Sequence, residues 1–263
     1  MSKPRIAILT GFGLNCEAET AFAFERAGGI ADLIHINDLI ENIATLDSYQ
    51  ILTFIGGFSF GDHIASGRAL AIKFKYRLQD KLTRFMLRDS LILGICNGFQ
   101  TLVKMGILPG NEQFQGNQVV TLTHNRRPGY WDDWVTLKAN PKSPCVFSRG
   151  VSFLDCPVRH GEGRFLYQDE SVAELIRSQE QIVFQYVNPD NHEVALEFPA
   201  NPNGSPEGIA AICDPTGRIL GIMPHPEAFH SYLNHPLWTN TPEKAFEEGA
   251  GIRIFRNAIE YFN

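Results

Sequence analysis

The amino-acid sequence predicts an α/β fold, in which a mostly parallel sheet is flanked by helices and carries added antiparallel strands. Three apolar runs have the length and composition of buried strands: Arg5–Leu9, Ile51–Ile55 and Leu91–Ile95. Each run is followed by a glycine-containing turn and then by apolar residues at helical spacing. Strands and helices in this order form a parallel sheet, whose functional side chains lie just beyond the carboxyl ends of the strands.

The first unit joins the strand Arg5–Leu9 to a helix that is predicted from about Glu17 to Ala27. Asn15 is the expected N-cap of this helix, because a side-chain oxygen at that position can accept from the first free backbone amides. Gly28 and Gly29 are expected to end it.

The second and third units follow the same plan. The strand Ile51–Ile55 runs into a glycine-rich loop, Gly56–Asp62, and a long helix is predicted beyond that loop. The apolar positions of this helix recur every three to four residues, at Leu70, Phe74, Leu78, Leu82 and Phe85. The third strand runs into Cys96, which stands between two glycines at the start of another helical pattern.

From about Gly110 onward, short strand-like runs are separated by Pro, Asn and Gly, which predicts antiparallel strands added to the same domain. These runs are Val119–Leu122, Trp134–Leu137 and Val151–Leu154. A hairpin is predicted where Gly208–Cys213 and Arg218–Met223 flank a four-residue turn. A last amphipathic helix, with Ile254, Phe255, Ala258, Ile259 and Phe262 on one side, is expected to dock the C-terminus.

The composition bounds the class of protein. Of the 263 residues 44% are hydrophobic, which is enough for a substantial core, and residues 1–263 are interpreted as a single domain. A formal net charge of −6 without a Lys/Arg cluster argues against nucleic acid as a partner. No apolar run has the length of a membrane span. The five cysteines form no CxxC pair, which is typical of a reducing compartment, so we expect a cytoplasmic location.

Cys96 is the first candidate for catalysis. The segment Gly94-Ile-Cys-Asn-Gly98 has the form of a nucleophile elbow, in which a tight turn from strand to helix projects the nucleophile and the glycines relieve crowding. A thiol at the start of a helix is expected to have a lowered pKa, and the neighbouring backbone amides can hold an oxyanion. Taken alone, however, this pentapeptide fits a structural cysteine at a strand end equally well.

His225 is the best candidate for the base that a nucleophilic cysteine requires. The predicted hairpin places it at the end of a strand, with Glu227 two residues further on. In an extended segment both side chains project to the same side, so Glu227 can fix the tautomer of the imidazole. On its own, such a pair is more often a surface histidine beside a carboxylate.

Two other kinds of site are disfavoured. A metal site at His225 and His230 would lack the His-Glu-x-x-His spacing, and Pro226 does not fit the helix that would have to align the ligands. The chain contains neither the dinucleotide fingerprint G-x-G-x-x-G nor the phosphate loop G-x-x-x-x-G-K-[ST]. We therefore expect neither a metal nor a cofactor in this chain.

Several segments match a known family in its order along nearly the whole chain: Gly56–Asp62, Gly94–Gln100, Arg159–Arg164, Pro199–Ser205 with Gly208–Cys213, Gly221–Glu227 and Phe255–Ala258. As a set they resemble the class I glutamine amidotransferases and, within that class, the glutaminase subunits of phosphoribosylformylglycinamidine synthases, which act in purine biosynthesis. Each segment is weakly specific, but the ordered set is highly specific. The chain departs from the family pattern at Gly11–Cys16, at Phe99 and at Ala228–His230, and none of these departures removes a catalytic candidate.

The resemblance implies a class I amidotransferase-like, flavodoxin-like fold with a catalytic triad. In it Cys96 is the nucleophile, His225 the general base and Glu227 the carboxylate that orients the base. The other implied residues are the backbone oxyanion donors Gly57, Phe58 and Asn97 and the glutamine-binding residues Gln100, His160, Gly161 and Glu162.

The resemblance also implies partners, because free ammonia would be lost by protonation and dilution. A larger synthetase subunit is expected to bind ATP and Mg²⁺ and to transfer the ammonia to formylglycinamide ribonucleotide, and a small accessory subunit can complete the complex. Three alternatives are a glutaminase that serves a different ATP-dependent amidotransferase, a cysteine hydrolase of the α/β-hydrolase type, and a scaffold without catalysis. In α/β-hydrolases the acid precedes the histidine, whereas Glu227 follows His225, and a scaffold needs none of the triad.

Overall fold

A mixed nine-stranded sheet forms the centre of the fold in the computed structural model, which describes residues 3–112 and 116–263. The strands are β1 Arg5–Thr10, β2 Ile30–His35, β3 Ile51–Phe54, β4 Leu91–Ile95, β5 Val120–His124, β6 Trp131–Ala139, β7 Phe153–His160, β8 Glu162–Tyr167, β9 Ile182–Val187, β10 Ile209–Cys213 and β11 Ile219–Ile222. The helices are α1 Glu17–Arg26, α2 Ile36–Ile40, α3 Arg68–Lys73, α4 Gln79–Leu87, α5 Asn97–Lys104, α6 Glu170–Ser178 and α7 Ile252–Glu260.

The order of strands across the large sheet is β2-β1-β3-β4-β11-β10-β9-β6-β7. The first five of these are mutually parallel, and the remaining four pair in antiparallel fashion. β5 and β8 form a separate antiparallel pair, in which β5 packs against α5. The predicted fold class, a mostly parallel sheet with antiparallel strands added in the second half, is confirmed.

The central strands are buried on both faces, which explains their nearly continuous apolar sequences. Every residue of β3, β4, β10 and β11 is buried. The predicted hairpin is confirmed, since β10 pairs with β11 across the turn at Asp214–Gly217. Because β11 lies beside β4 in parallel register, with Gly221 opposite Gly94, the two strands end side by side.

The predicted long helix contains a wider turn. Between α3 and α4 the chain makes a π-helical turn at Phe74–Leu78, and all five predicted apolar positions are buried. Four of them are spaced by four residues. In a regular helix of 3.6 residues per turn, each of these side chains would lie about 40° further around the helix axis than the one before it. The wider turn compensates for this rotation and keeps the apolar side chains facing the sheet.

Some predictions differ from the structure. Cys16, not Asn15, is the N-cap of α1, and the Asn15 amide instead donates to the carbonyl of Gly56. The predicted strand Val151–Leu154 overlaps β7 only at its last two residues, and β2, α2, β8, α6 and β9 were not predicted. No helix within the described ranges is both long enough and apolar enough to traverse a lipid bilayer.

Candidate active site

The candidate catalytic residues lie at the carboxyl ends of two neighbouring parallel strands. Cys96 directly follows β4, and His225 stands three residues beyond β11. The backbone amide of Cys96 donates to the carbonyl of Ile222 at 2.8 Å, which ties the end of one strand to the other. Strand pairing thus brings together two residues that are 129 positions apart in the sequence. They lie beyond the carboxyl ends of the parallel strands, where the functional side chains were expected.

The predicted elbow at Cys96 is confirmed by its backbone. Cys96 has φ 51° and ψ −106°, a conformation that costs free energy for a residue with a side chain. A Cβ atom at Gly98 would lie 1.9 Å from the carbonyl oxygen of Phe54, and one at Gly94 would lie 2.5 Å from Cδ1 of Leu102. Both glycines are therefore required for the close packing of α5 against β3 and β4.

His225 and Glu227 form a buried hydrogen-bonded pair. Nδ1 of His225 lies 2.6 Å from Oε1 of Glu227, and the two residues are 2% and 0% exposed. Burial alone would lower the pKa of His225, but the charge of Glu227, together with the neighbouring thiols of Cys96 and Cys16, raises that pKa well above its usual value. The pair can therefore hold a proton near Cys96.

The route to this pairing differs from the prediction. The segment is not extended, because residues Pro226–Ala228 form a single 3₁₀ turn directly after His225. Pro226 fits the first position of that turn, where its missing N–H has no partner to lose. The turn curls Glu227 back toward the imidazole, so the predicted contact is present although the predicted backbone is not.

A cavity of about 110 Å³ opens at the candidate nucleophile. Its walls are formed by Asn15, Cys16, Glu19, Gly57, Phe58, Cys96, Tyr130, Arg159 and His225. The thiol of Cys96, the imidazole of His225 and the glycine-rich loop Gly56–Asp62 therefore all contribute to the wall of one cavity. A larger cavity of about 410 Å³ lies between α4 and the segment after α5, with Met86 and Met105 in its walls, and contains none of the candidate catalytic groups.

The glycine-rich loop offers one free amide to this cavity. The N–H of Phe58 already donates to the carbonyl of Gly13 at 2.8 Å, whereas the N–H of Gly57 has no hydrogen-bond partner among the described residues. Gly57 has φ 138°, and a Cβ there would lie 2.7 Å from the Gly13 oxygen. The segment of Gly57 and Phe58 is expected to supply one backbone donor. Only the amide of Gly57 is free for this, since the amide of Phe58 is already bonded, and its role as an oxyanion donor stays a prediction.

The second predicted donor, Asn97, is the first residue of α5. The side chain of Asn97 is not available as an oxyanion donor, because its Nδ2 donates to Asp62 at 3.2 Å and to Gln100 at 3.1 Å. These bonds anchor the start of the helix beneath the nucleophile. The backbone amide of Asn97 stays the predicted donor.

The four residues predicted to bind glutamine are not among the residues that line the cavity. Gln100 donates to the carbonyl of Glu162, and the Glu162 carboxylate accepts from the amide of Ser66 at 3.3 Å. The carbonyl of Gly161 accepts from the amide of Asn125. A hydrogen-bonded layer thus links these residues, and their role in binding the substrate stays a prediction.

His160 belongs to the same layer. Nδ1 of His160 lies 3.2 Å from Oδ1 of Asn125, and the ring packs so closely under Gly163 that a Cβ there would lie 2.6 Å from it. Burial and the positive charge of His225 lower the pKa of His160 to about 3. His160 is therefore neutral under physiological conditions, and its ring packs against the backbone at Gly163.

Some residues that line the cavity were not predicted as site residues, namely Asn15, Cys16, Glu19, Tyr130 and Arg159. The carbonyl of Arg159 accepts a weak hydrogen bond from the Cys96 thiol at 3.7 Å, and the Tyr130 ring lies 6.1 Å from that of Phe58 at the mouth of the cavity. Cys16 could have been found from the sequence, since it lies in the loop after β1, a strand parallel to β3 and β4 whose carboxyl end is on the same side of the sheet. Tyr130 lies in the loop between β5 and β6, and no local pattern marks that loop.

Comparison with known proteins gives a consistent result. The chain matches, over residues 3–262, a family model described as the CobB/CobQ-like glutamine amidotransferase domain. Phosphoribosylformylglycinamidine synthase subunit PurQ of Methanococcus maripaludis is 42% identical over 268 residues, which cover 99% of this chain and 98% of that protein. Subunit PurQ of Dehalococcoides mccartyi is 42% identical over 261 residues, with the same coverage.

Solved structures agree with these relatives. A chain of PurLQS from Thermotoga maritima superimposes with a TM-score of 0.73 at 26% identity, and the match covers 100% of both chains. A glutamine amidotransferase from the same organism superimposes with a TM-score of 0.56 at 14% identity, which supports the fold alone.

Proposed function

Since the chain belongs to the family of CobB/CobQ-like glutamine amidotransferase domains, we propose that it is the glutaminase subunit of a phosphoribosylformylglycinamidine synthase. The observation that carries this proposal is the burial of a strained Cys96 beside the hydrogen-bonded pair of His225 and Glu227, in a chain that matches such subunits over nearly its full length. The reaction releases ammonia from glutamine and leaves glutamate.

The first half of the reaction forms a thioester. The Cys96 sulfur attacks the carboxamide carbon of glutamine while His225 keeps the thiol proton. The amides of Gly57 and Asn97 stabilise the oxyanion, and donors of this kind contribute on the order of 3 kcal/mol each. When the tetrahedral intermediate collapses, His225 passes its proton to the leaving nitrogen and ammonia departs.

The second half regenerates the enzyme. Neutral His225 removes a proton from water, and the resulting hydroxide attacks the thioester. Glutamate leaves, and the Cys96 thiol recovers its proton from His225. Glu227 stays ionised throughout and stabilises each imidazolium that forms.

We propose that the ammonia is consumed within a larger assembly, because free ammonia is protonated at neutral pH to ammonium, which has no lone pair and cannot act as a nucleophile. We propose that a synthetase subunit binds ATP and Mg²⁺ and joins the ammonia to formylglycinamide ribonucleotide, with a small accessory subunit in the same complex. The name PurLQS of the similar Thermotoga maritima structure supports an assembly of this kind.

One sheet that takes strands from both halves of the chain supports a single domain of residues 1–263, and five free thiols support the cytoplasm as its location.

A labelling experiment tests the nucleophile. The chain is incubated with a glutamine-mimicking diazoketone, and the adduct is located by mass spectrometry. We expect the label on Cys96, loss of glutamine hydrolysis in Cys96→Ser, and retained hydrolysis in Cys145→Ser, whose thiol is buried elsewhere. Label on another cysteine, or full hydrolysis by Cys96→Ser, would exclude the mechanism.

A reconstitution experiment tests the acceptor. The chain is combined with the synthetase subunit, ATP, Mg²⁺, glutamine and formylglycinamide ribonucleotide, and formation of formylglycinamidine ribonucleotide is followed. Product should form with the wild-type chain and not with Cys96→Ser, while added ammonia should rescue the variant. If the chain leaves glutamine-dependent product formation unchanged, the proposed partner is wrong.

A further inference from the structure

Asp62 lies between the two segments that supply the predicted oxyanion donors, and it does not line the catalytic cavity. Gly57 belongs to the glycine-rich loop after β3, whereas Asn97 is the first residue of α5, after β4. Their amides can stabilise one oxygen atom only if both lie at hydrogen-bond distance from it. The loop and the start of α5 must therefore be held relative to each other within about 0.5 Å.

The carboxylate of Asp62 accepts three hydrogen bonds that connect these segments. Oδ1 accepts from Nδ2 of Asn97 at 3.2 Å and from the amide of Gly67 at 3.4 Å. Oδ2 accepts from the hydroxyl of Ser66 at 2.9 Å. Burial raises the pKa of the Asp62 carboxyl, and these three bonds oppose that rise. One carboxylate thus ties the glycine-rich loop, the segment before α3 and the start of α5 to each other.

Asn97 depends on this carboxylate where the helix begins. Its side chain is fully buried, and Nδ2 shares its two N–H groups between Asp62 and Oε1 of Gln100. Without Asp62 one of these N–H groups would be buried and would lack an acceptor, which is unfavourable. A shift of the start of α5 would relieve this state, and it would move the backbone amide of Asn97 together with the side chain.

The turn that carries Asp62 is itself strained. Phe60, Gly61 and Asp62 have φ values of 55°, 69° and 51°, so three successive residues adopt the left-handed region. Such a backbone costs free energy at the two residues that carry side chains, and it persists only where surrounding contacts fix it. The amide of Phe60, which donates to the carbonyl of Phe12 at 2.7 Å, fixes one end of the turn, and the carboxylate of Asp62 fixes the other.

We propose that Asp62 is a positioning residue for glutamine hydrolysis, which holds the start of α5 against the glycine-rich loop so that the amides of Gly57 and Asn97 converge on one oxygen. It acts through the side chain of Asn97 and has no contact with the thiol. The inference rests on the proposed function. It requires that loss of Asp62 slows the steps that form an oxyanion and leaves the reactivity of the Cys96 thiol intact.

Substitution of Asp62 tests this role in steady-state glutamine hydrolysis. Asp62→Ala removes all three hydrogen bonds, and we expect kcat to fall by about 10²-fold, the loss that a displacement of about 1 Å causes, with KM changed by less than about threefold. Asp62→Asn keeps an acceptor for Asn97, so it should retain at least about ten times the kcat of Asp62→Ala. Asp80→Asn, at an exposed position of α4, is the control. Wild-type kcat in Asp62→Ala, or equal losses in both Asp62 variants, would overturn the proposal.

Alkylation by iodoacetamide separates positioning from a general loss of structure. The thiolate attacks this reagent at a saturated carbon, so no oxyanion forms and the oxyanion donors have no task. Mass spectrometry follows the modification of Cys96, whose rate in Asp62→Ala should stay within about threefold of the wild-type rate. A rate of alkylation that falls as much as kcat would mean that Asp62 only maintains the fold, and the proposal would be wrong.

A double-mutant cycle tests the path through Asn97. Asn97→Ala keeps the backbone amide and removes the side chain that Asp62 holds. If Asp62 acts through this side chain, both substitutions together should lower kcat no further than the more harmful one alone, whereas independent effects would multiply. Multiplied losses would therefore overturn the path.

Asn97→Ala also decides the question if Asp62→Ala does not fold, since it breaks the same bond from the other side. Its kcat should then fall while alkylation of Cys96 continues, and an unchanged kcat would overturn the proposal. A wild-type chain that does not hydrolyse glutamine would refute the proposed function. Hydrolysis by the wild type that these variants retain in full would refute the role of Asp62 alone.

Discussion

The carboxylate of Glu227 holds His225 in its protonated form, because it is the main favourable charge near the buried ring. Glu227→Gln keeps the size and removes the charge. We expect kcat to fall by a factor on the order of 10² to 10⁴, since the amide neither stabilises the imidazolium nor fixes the correct tautomer. Steady-state glutamine hydrolysis measures this effect, with Glu243→Gln at an exposed position as the matched control.

The pH profile of the same variant separates charge from shape. Glu227 raises the pKa of His225, so its neutralisation lowers that pKa and the imidazolium is lost at lower pH. The alkaline limb of kcat/KM should therefore move to lower pH in Glu227→Gln. An alkaline limb at the wild-type position would mean that His225 does not carry the catalytic proton.

Cys96 occupies its positive φ at a cost, which a glycine would not incur. We expect Cys96→Gly to raise the free energy of unfolding by about 1 kcal/mol while glutamine hydrolysis is lost. Denaturant titration measures the change. Cys145→Gly is the matched control, since Cys145 has φ −57° and should lose stability on the same substitution. A loss of stability in both variants would contradict the inferred strain.

At the scale of elements, the contact between α5 and β3 depends on Gly98. A Cβ there would overlap the Phe54 oxygen, so Gly98→Ala must push the helix that carries the nucleophile away from the sheet. We expect a loss of about 2 to 4 kcal/mol in the free energy of unfolding and a loss of activity. Gly161→Ala is the control for stability, because its Cβ would meet no atom nearer than 3.7 Å.

The elements that the sequence predicts best are those buried on both faces. β1, β3 and β4 are continuous apolar runs, and the hairpin β10–β11 has a strong turn signal. β7 was misjudged because it passes through Pro157, a residue that interrupts most strands. β7 is the last strand of the sheet, and at an edge a proline costs no ladder hydrogen bond. Local pattern does not reveal which strand will be at the edge.

At the scale of the whole molecule, His160 couples stability to pH. Its folded pKa is about 3, whereas an exposed histidine titrates near 6.5, so the unfolded chain takes up a proton that the folded chain refuses. The contribution of His160 is complete above pH 6.5 and is lost as the pH falls from 6.5 to 3, at about 1.4 kcal/mol per pH unit. Wild-type stability should fall over that window.

His160→Gln tests this coupling, since the amide can still donate to Asn125 but does not titrate. Urea unfolding at a series of pH values should give a shallower acid slope for this variant than for the wild type. Equal slopes for His160→Gln and the wild type would show that His160 is protonated in the folded chain.

The candidate site divides in the same way between what the sequence predicts and what only the fold supplies. Cys96, His225 and Glu227 stand in short motifs whose chemistry can be inferred from their neighbours in the chain. The occupied amide of Phe58 depends on the bridge between the loops after β1 and β3. Contacts of that kind join distant segments, so a single sequence carries no local signal for them.

The position of β11 has a consequence for the synthesis of the chain. β11 is formed by residues 219–222, yet it lies in the middle of the sheet, between β4 and β10. A ribosome has therefore made more than four-fifths of the protein before the strand that joins the two halves leaves the exit tunnel. Until then Cys96 has no base beside it, so a nascent or truncated chain carries the thiol without the means to use it.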